Sequence, residues 1–474
     1  MGGVNRCDVL IVGGGLAGCS AAAELAERFP RLTVRVVDAG RGASSEVMGF
    51  SAPVEQEDSP ERFFDDTLRN ANGEGDPRLA RVLADRALPE LHRLEALGIA
   101  FDRTPDGAYD TLRAAGTSCP RVVHCGTSTG REVLRRLGVT PERRRVSALL
   151  LREGRVAGAR FADDETVHCS AVLLAGGGFA GLWRFSSWNK LLRGDALLFA
   201  RSAGAALDGL GLVQYEPTVT VYPEALCGFP VITTVLNAGA RLLDREGNSL
   251  LAPGEPVPCK RELARRIAEA LAAGRGWEHG GIRYDFSGVD EAEFARKYPG
   301  YYRKFRRFAR SFRELFFEVK PGAHTTLGGI RIEPDGSTAV PGLFAAGECI
   351  GNLHGCDRLG GNAGLEVLVF GRIAGASAGR FAAAQPTGYP AGAATVETMD
   401  VTATPPELFP AIGAILDRSC GVLRSERVLR EGLRALAKLP VSPHGELARL
   451  TLEDALTRLL RQSGAGADAA ETPE

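Results

Sequence analysis

Long apolar runs are missing from this 474-residue chain: none approaches the roughly eighteen residues that a bilayer-spanning helix needs. An excess of one charge is missing too. The 57 basic and 58 acidic residues leave a formal net charge of −1, no footprint for nucleic acid or an anionic membrane surface. Lysine is scarce, six of the 57 basic residues, an arginine bias that goes with a GC-rich genome and carries no mechanism by itself. None of the ten cysteines is spaced C-x-x-C, which excludes the usual zinc and iron–sulfur patterns and leaves no metal expected. The start lacks the basic and apolar regions of a signal peptide, so a cytoplasmic protein with reduced thiols is expected. What remains is ordinary globular material, 44% hydrophobic and 24% charged, long enough for two or three domains.

Glycine, by contrast, is plentiful, and two places use it for chemistry. Cys7 to Val12 is a short apolar run of buried-strand type. It leads into Gly13-Gly14-Gly15-Leu16-Ala17-Gly18 and then a small, apolar segment at helical spacing. Gly13 allows the tight turn, Gly15 lets backbone approach a pyrophosphate, and Gly18 lets helix pack on strand. A second apolar run, Leu32 to Val37, ends at Asp38-Ala39, where an acid can bond a ribose hydroxyl. The pattern predicts a Rossmann-like dinucleotide unit and does not by itself decide between FAD and NAD.

The second place is Gly347 to Arg372, G-E-C-I-G-N-L-H-G-C-D-R-L-G-G-N-A-G-L-E-V-L-V-F-G-R. A carboxylate (Glu348), an imidazole (His354) and a guanidinium (Arg358) precede a glycine pair and a helix-like apolar run. Such a helix start offers N–H groups and a positive dipole to an anion. This segment resembles the HGxNRLGGN signature of the fumarate reductase, succinate dehydrogenase and L-aspartate oxidase flavoproteins. The resemblance spans nearly the whole chain and implies FAD as cofactor. It implies that Gly347 and Glu348 end a late strand, with Glu348 on the ribityl chain. It also implies that Asn362, Ala363 and Gly364 face the flavin pyrimidine edge. Ser44, Ser45 and Gly49 stand where relatives wrap the flavin, and with no histidine there the FAD is expected to be non-covalent. Ala175, Gly176 and Gly177 form a second glycine approach to the nucleotide, and Val146 is placed with them. A redox pair of Cys349 and Cys356 near the flavin is a further possibility.

The expected fold is α/β: a Rossmann-like FAD-binding domain with an inserted α+β capping domain and a short C-terminal helical segment. Charge, clustered aromatics and short strand runs set the cap at 222–322, between the FAD-binding parts 1–221 and 323–384. Residues 385–406, rich in Ala, Thr and Pro, are expected as a linker, 407–462 as helical, and 463–474 as a disordered tail. Ser59 to Leu97 predicts one or two helices, and Val146 to Phe161 a hairpin around Glu153-Gly154.

Relatives move a hydride between flavin N5 and a carbon next to a carboxylate. That needs a clamp on the carboxylate and a proton donor or acceptor opposite the flavin. By resemblance, His324 in H-x-T-x-G-G and Arg358 in D-R-L-G-G-N hold the carboxylate. Arg261 matches the proton-shuttle arginine of an R-D-x-x-x-R motif, although neighbouring Lys260 or Arg265 could hold that position. One departure stands out: Gln214-Tyr215-Glu216-Pro217-Thr218 puts Glu216 where relatives acting on four-carbon dicarboxylates carry histidine. An acid there repels a second carboxylate and welcomes an amine or hydroxyl, unless it pairs with an arginine of the cap. The expected activity is therefore reduction or desaturation beside a carboxylate or carbonyl, on a substrate other than a plain four-carbon dicarboxylate. Amino-acid or amine oxidation of the L-aspartate oxidase kind is the alternative. An electron-transfer subunit with a vestigial site is a third reading. Electrons would pass to oxygen, a separate protein or a diffusible carrier.

Overall fold

The computed structural model describes residues 5–40, 42–385 and 395–468. At its centre four parallel strands lie in the order Leu343–Ala345, Ala171–Leu174, Val9–Val12, Val34–Val37. Val9, Leu10, Ile11 and Val172 to Leu174 are buried, as continuous apolar strands covered on both faces must be. Two helices start at the carboxyl ends of these strands and run side by side: the first helix, Leu16–Arg28, and the late helix, Asn362–Ala383. Their seam is made of missing side chains. A Cβ on Gly371 would sit 2.5 Å from the Ala17 carbonyl oxygen, and one on Gly375 2.7 Å from that of Ala21.

A second, antiparallel sheet carries the expected hairpin, Val146–Arg152 and Arg155–Phe161. Glu153 (φ 50°) and Gly154 (φ 75°) form a left-handed two-residue turn of the type that suits the twist of a hairpin. Its outer edge corrects the linker expected at 385–406. Val396–Glu397 pairs with Leu150 and Leu151 there, and Arg160 ties Glu397 and Asp400 down. Backbone pairing with an open edge overrides the Ala/Thr/Pro composition. Residues 386–394 of that segment lie outside the described residues.

The second hydrophobic core belongs to the inserted region. Strands Val213–Tyr222, Phe316–Thr326, Ile282–Asp285 and Arg241–Leu243 form its sheet, and the cap helix Lys260–Ala272 covers it. Phe286 is the hub, meeting Phe305, Phe312 and Phe317 edge-on at 5.5–5.6 Å. The strands were expected to be short, yet the two long ones have 10 and 11 residues: the first ends at Tyr222, at one proposed boundary, and the second runs on past the other, 322. Polar residues and Pro217 hid the first of them from pattern reading. It tolerates the proline because the ladder shifts register between Glu216 and Val219, and such bulges re-aim side chains.

Three helices close the chain, Leu408–Ser419, Glu426–Leu436 and Pro443–Asp468. The last runs through 463–468, so the expected disordered tail is helical there. Helix propagation is cheap once nucleated, and it carries the helix through Gly464 and Gly466 despite their poor propensity. Residues 469–474 lie outside the described residues. No helix among the described residues is long and apolar enough to cross a membrane.

Candidate active site

The turn after Val9–Val12 has the shape that its glycines demand. Gly13 has φ 121°, and a Cβ there would lie 2.1 Å from the Ala175 carbonyl oxygen; one on Gly18 would lie 1.9 Å from that of Gly13. Gly15 begins the first helix without a side-chain cap of its own. The Leu16 N–H instead donates to Ser44 Oγ at 2.8 Å, bringing the 42–49 segment onto the helix start beside Ala17. Ser45 turns to Glu46, and Gly49 opens a short strand paired with Val122–His124. Asp38 ends its strand partly exposed, 4.0 Å from Arg143, with Ala39 exposed beside it. Gly176 and Gly177 follow the strand that touches Gly13, whereas Val146 is buried at the start of the hairpin.

Glu348 sits just past the late strand, where a Cβ on Gly347 would contact Ala17 at 2.9 Å. Its carboxylate accepts from the Thr326 N–H at 3.1 Å and from Trp188 Nε1 at 3.0 Å. Burial pushes this carboxyl up to about 7, against the lowering effect of those two donors. Gly178 makes its room: a Cβ there would come within 2.4 Å of Glu348 Oε1. The late helix begins at Gly361 (φ 88°) with no side-chain cap. The Asn362 side chain is committed to structure, accepting from Ser51 at 2.8 Å and donating to Thr67 at 3.1 Å. It pins the helix start so that Gly364 lies against Gly49 and Phe50. Two helix starts on neighbouring parallel helices, offset by about two turns because Gly371 lies level with Ala17, fit the pyrophosphate and ring of a dinucleotide.

A second group of side chains converges beyond Glu348. His324, on the strand Phe316–Thr326, has Nδ1 2.9 Å from Ser187 Oγ and meets the Trp188 ring edge-on at 4.7 Å. Burial, with Lys260 and Arg358 adding positive charge, holds this imidazole well below the ordinary histidine range. It is neutral at pH 7. Arg358 donates to the Leu359 carbonyl at 3.3 Å, while its Nε is enclosed and unpartnered. Among the described residues no carboxylate lies within ion-pair distance of it, although Glu348, Glu366, Asp357 and Glu216 all contribute negative potential. Gln214 braces the loop by donating to Asp357 at 2.6 Å and to the Arg358 carbonyl at 2.9 Å. His354 pairs instead with buried Glu366 at 2.8 Å.

Glu216 is buried and accepts from the ammonium of Lys260, a cap cation but not an arginine. Arg261, the next residue, is exposed, and its charge acts on Asp357 and Cys356. Arg265 closes onto Glu262 and Glu269 of its own helix. Cys349 is buried against the carbonyls of Leu174 and Ala346, its thiol pushed up to about 12 by burial, and is unpaired like Cys356. Trp188, Ser187 and Asp357 escaped the sequence reading, whereas Gly178 closes the glycine triplet Gly176-Gly177-Gly178 expected to approach the nucleotide.

The FAD binding domain family matches residues 8–363 of the chain. A fumarate reductase (CoM/CoB) subunit of Methanothermobacter marburgensis is 36% identical over 399 residues, covering 79% of this chain and 73% of that protein. L-aspartate oxidase of Mesorhizobium japonicum is 32% identical over 395 residues, 78% of this chain and 75% of its own. Among solved structures, Mycobacterium smegmatis Sdh1 in complex with UQ1 is similar at a TM-score of 0.80 and 28% identity, over 96% of this chain and 85% of that one. FrdA of E. coli quinol fumarate reductase shares the fold at a TM-score of 0.82 and 22% identity, over 96% and 87%.

Proposed function

Because the chain belongs to the FAD binding domain family, as an FAD-dependent oxidoreductase of the fumarate reductase and L-aspartate oxidase kind, we propose that it reduces or desaturates a carbon–carbon bond beside a carboxylate or carbonyl. FAD supplies the hydride chemistry when bound. Gly13, Gly15 and the first helix start hold its pyrophosphate, Asp38 its ribose, and Glu348 its ribityl chain. Ala363 and Gly364 offer N–H groups to the pyrimidine edge. The 42–49 segment has Ser44 and Ser45 and no histidine, so the cofactor is held without a covalent bond.

One observation carries the reading: the guanidinium of Arg358, with an enclosed unpartnered Nε and no acid in ion-pair reach among the described residues. A cation kept this way is stabilised by an anion from outside, and its planar fork suits a carboxylate. His324, neutral and held by Ser187, lies on the same side and can donate to the same carboxylate or to a carbonyl. Glu216 is neutralised by Lys260 of the cap, which offsets the repulsion it would otherwise exert on a second carboxylate. The likeness to L-aspartate oxidase supports amino-acid oxidation as the second reading. A separate protein or diffusible carrier exchanges electrons with the flavin.

The test is anaerobic mixing of the reduced holoenzyme with a panel of unsaturated acids and imino acids. Rapid flavin reoxidation by a mono-carboxylate enoic acid supports the first reading, and by an imino acid the second. Reoxidation by fumarate alone would return the chain to plain dicarboxylate chemistry.

A further inference from the structure

We propose that Ser187 is a positioning residue that sets the tautomer of His324, keeping the ring proton on Nε2, where the substrate carboxylate meets it. The inference rests on the hydride-transfer reading above. His324 has one ring nitrogen engaged and one open. Nδ1 lies 2.9 Å from Ser187 Oγ, while Nε2 has no hydrogen-bond partner among the described residues. Nor is Nε2 an enclosed atom, since the ring is partly exposed. Burial, with the charges of Lys260 and Arg358, keeps the ring neutral. A neutral imidazole carries a single ring N–H proton, so it donates from one nitrogen and accepts at the other. The tautomer therefore decides whether a carboxylate arriving at Nε2 finds a donor or a lone pair.

The Ser187 hydroxyl also has one proton, and two acceptors stand near it. The Ala323 carbonyl is 3.4 Å from Oγ, beyond the roughly 3.0 Å reach of an ordinary O–H···O bond. That carbonyl already accepts from the Ser187 N–H at 3.0 Å. Nδ1 is the better-placed acceptor, so the hydroxyl proton goes there and the ring proton stays on Nε2. The serine is held in place by its neighbours. Ser186 bridges to Ala323, on the strand that carries His324, and its Oγ accepts from the Trp188 N–H at 3.0 Å. Trp188 in turn spends its indole N–H on Glu348 and meets the imidazole edge-on. Three consecutive residues thus fix the ring by one nitrogen and by its packing. As hydride adds beside the carboxylate, negative charge spreads onto the carboxylate oxygens. A preset Nε2–H, together with the Arg358 guanidinium, stabilises that charge, whereas the opposite tautomer would set a lone pair against it.

The experiment uses holoenzyme with isotope-labelled histidine. Long-range proton–nitrogen correlation NMR reads which His324 nitrogen bears the proton, and His324→Gln identifies its signals among the seven histidines. The parent should show Nε2 protonated and Nδ1 bare. In Ser187→Ala the Nδ1 signal should move and a share of the Nδ1–H form should appear, and Ser187→Thr should restore the parent pattern. A parent proton on Nδ1, which needs no variant to fold, would overturn the assignment outright. So would a Ser187→Ala spectrum identical to the parent's. The reduced holoenzymes are then mixed with crotonate, fumarate and the other acids of the panel. With an acid that reoxidises the parent, Ser187→Ala should react on the order of tenfold more slowly, the scale of one misdirected donor, and Ser187→Thr within about threefold of the parent. Ser187→Ala reacting at the parent rate would overturn the positioning role. A parent inert to every acid would sink the hydride-transfer reading instead, and the proton's place on His324 would still decide for or against Ser187.

Discussion

Arg358 holds five donors and spends one of them on the neighbouring Leu359 carbonyl. Lysine in its place would keep the charge and lose the fork. Arg358→Lys should therefore cut turnover on the order of a hundredfold or more while the bound flavin spectrum stays native; steady-state rates beside an absorption scan decide it. Glu348 yields a pH prediction. Its carboxyl is raised from 4.5 to about 7 in the fold, so the neutral form is the favoured one. Its contribution to stability is complete below pH 4.5 and is lost as pH rises through about 7, amounting to ~3 kcal/mol. Denaturant melts at pH 4.5 and 8 should show that loss in the parent and not in Glu348→Gln. At this scale the sequence was legible where a residue type is irreplaceable, as at Gly13 and Arg358. It was silent at Trp188 and Asp357, whose roles arise from distant segments meeting.

Helices and strands tell a similar story. The strand–glycine–helix start, the Glu153-Gly154 hairpin and the late helix were all readable because each is written in contiguous residues. The edge strand Val396–Glu397 and the two long cap strands were not, because pairing with a remote partner decides them. The seam between the first and late helices supports its own test. Gly375→Val would drive a side chain into the Ala21 backbone at 2.7 Å, costing about 2–3 kcal/mol and loosening both helix starts together. Thermal melts should fall and FAD affinity should weaken in the same variant. A lower melt with undiminished FAD affinity would separate the seam from the cradle.

Over the whole molecule, the C-terminal helices brace the site from behind. The single carbonyl of Cys420 accepts from both Trp183 and Tyr215, and Asp417 accepts from the Phe185 N–H at 3.0 Å. These contacts grip the segment that presents Ser187 and Trp188 and the strand that presents Glu216. The FAD, lacking a histidine tether at 42–49, should pass entirely into the supernatant when the holoenzyme is precipitated with acid; yellow colour retained in the pellet would refute a non-covalent hold. The strands Val213–Tyr222 and Phe316–Thr326 have a different consequence. They begin in one core and end against the other, and the stretch that carries His324 and Glu216 is rooted in the first core: Ala323 is buried there, Thr326 donates to Glu348 and Gln214 to the Arg358 carbonyl. A carboxylate gripped by both His324 and Arg358 would add a further link where the cap strands are rooted, turning chemical occupancy into mechanical stiffness. Amide hydrogen exchange across both strands, far from any atom the ligand touches, would then slow in proportion to saturation, so the cap itself would serve as the gauge of whether the site is filled.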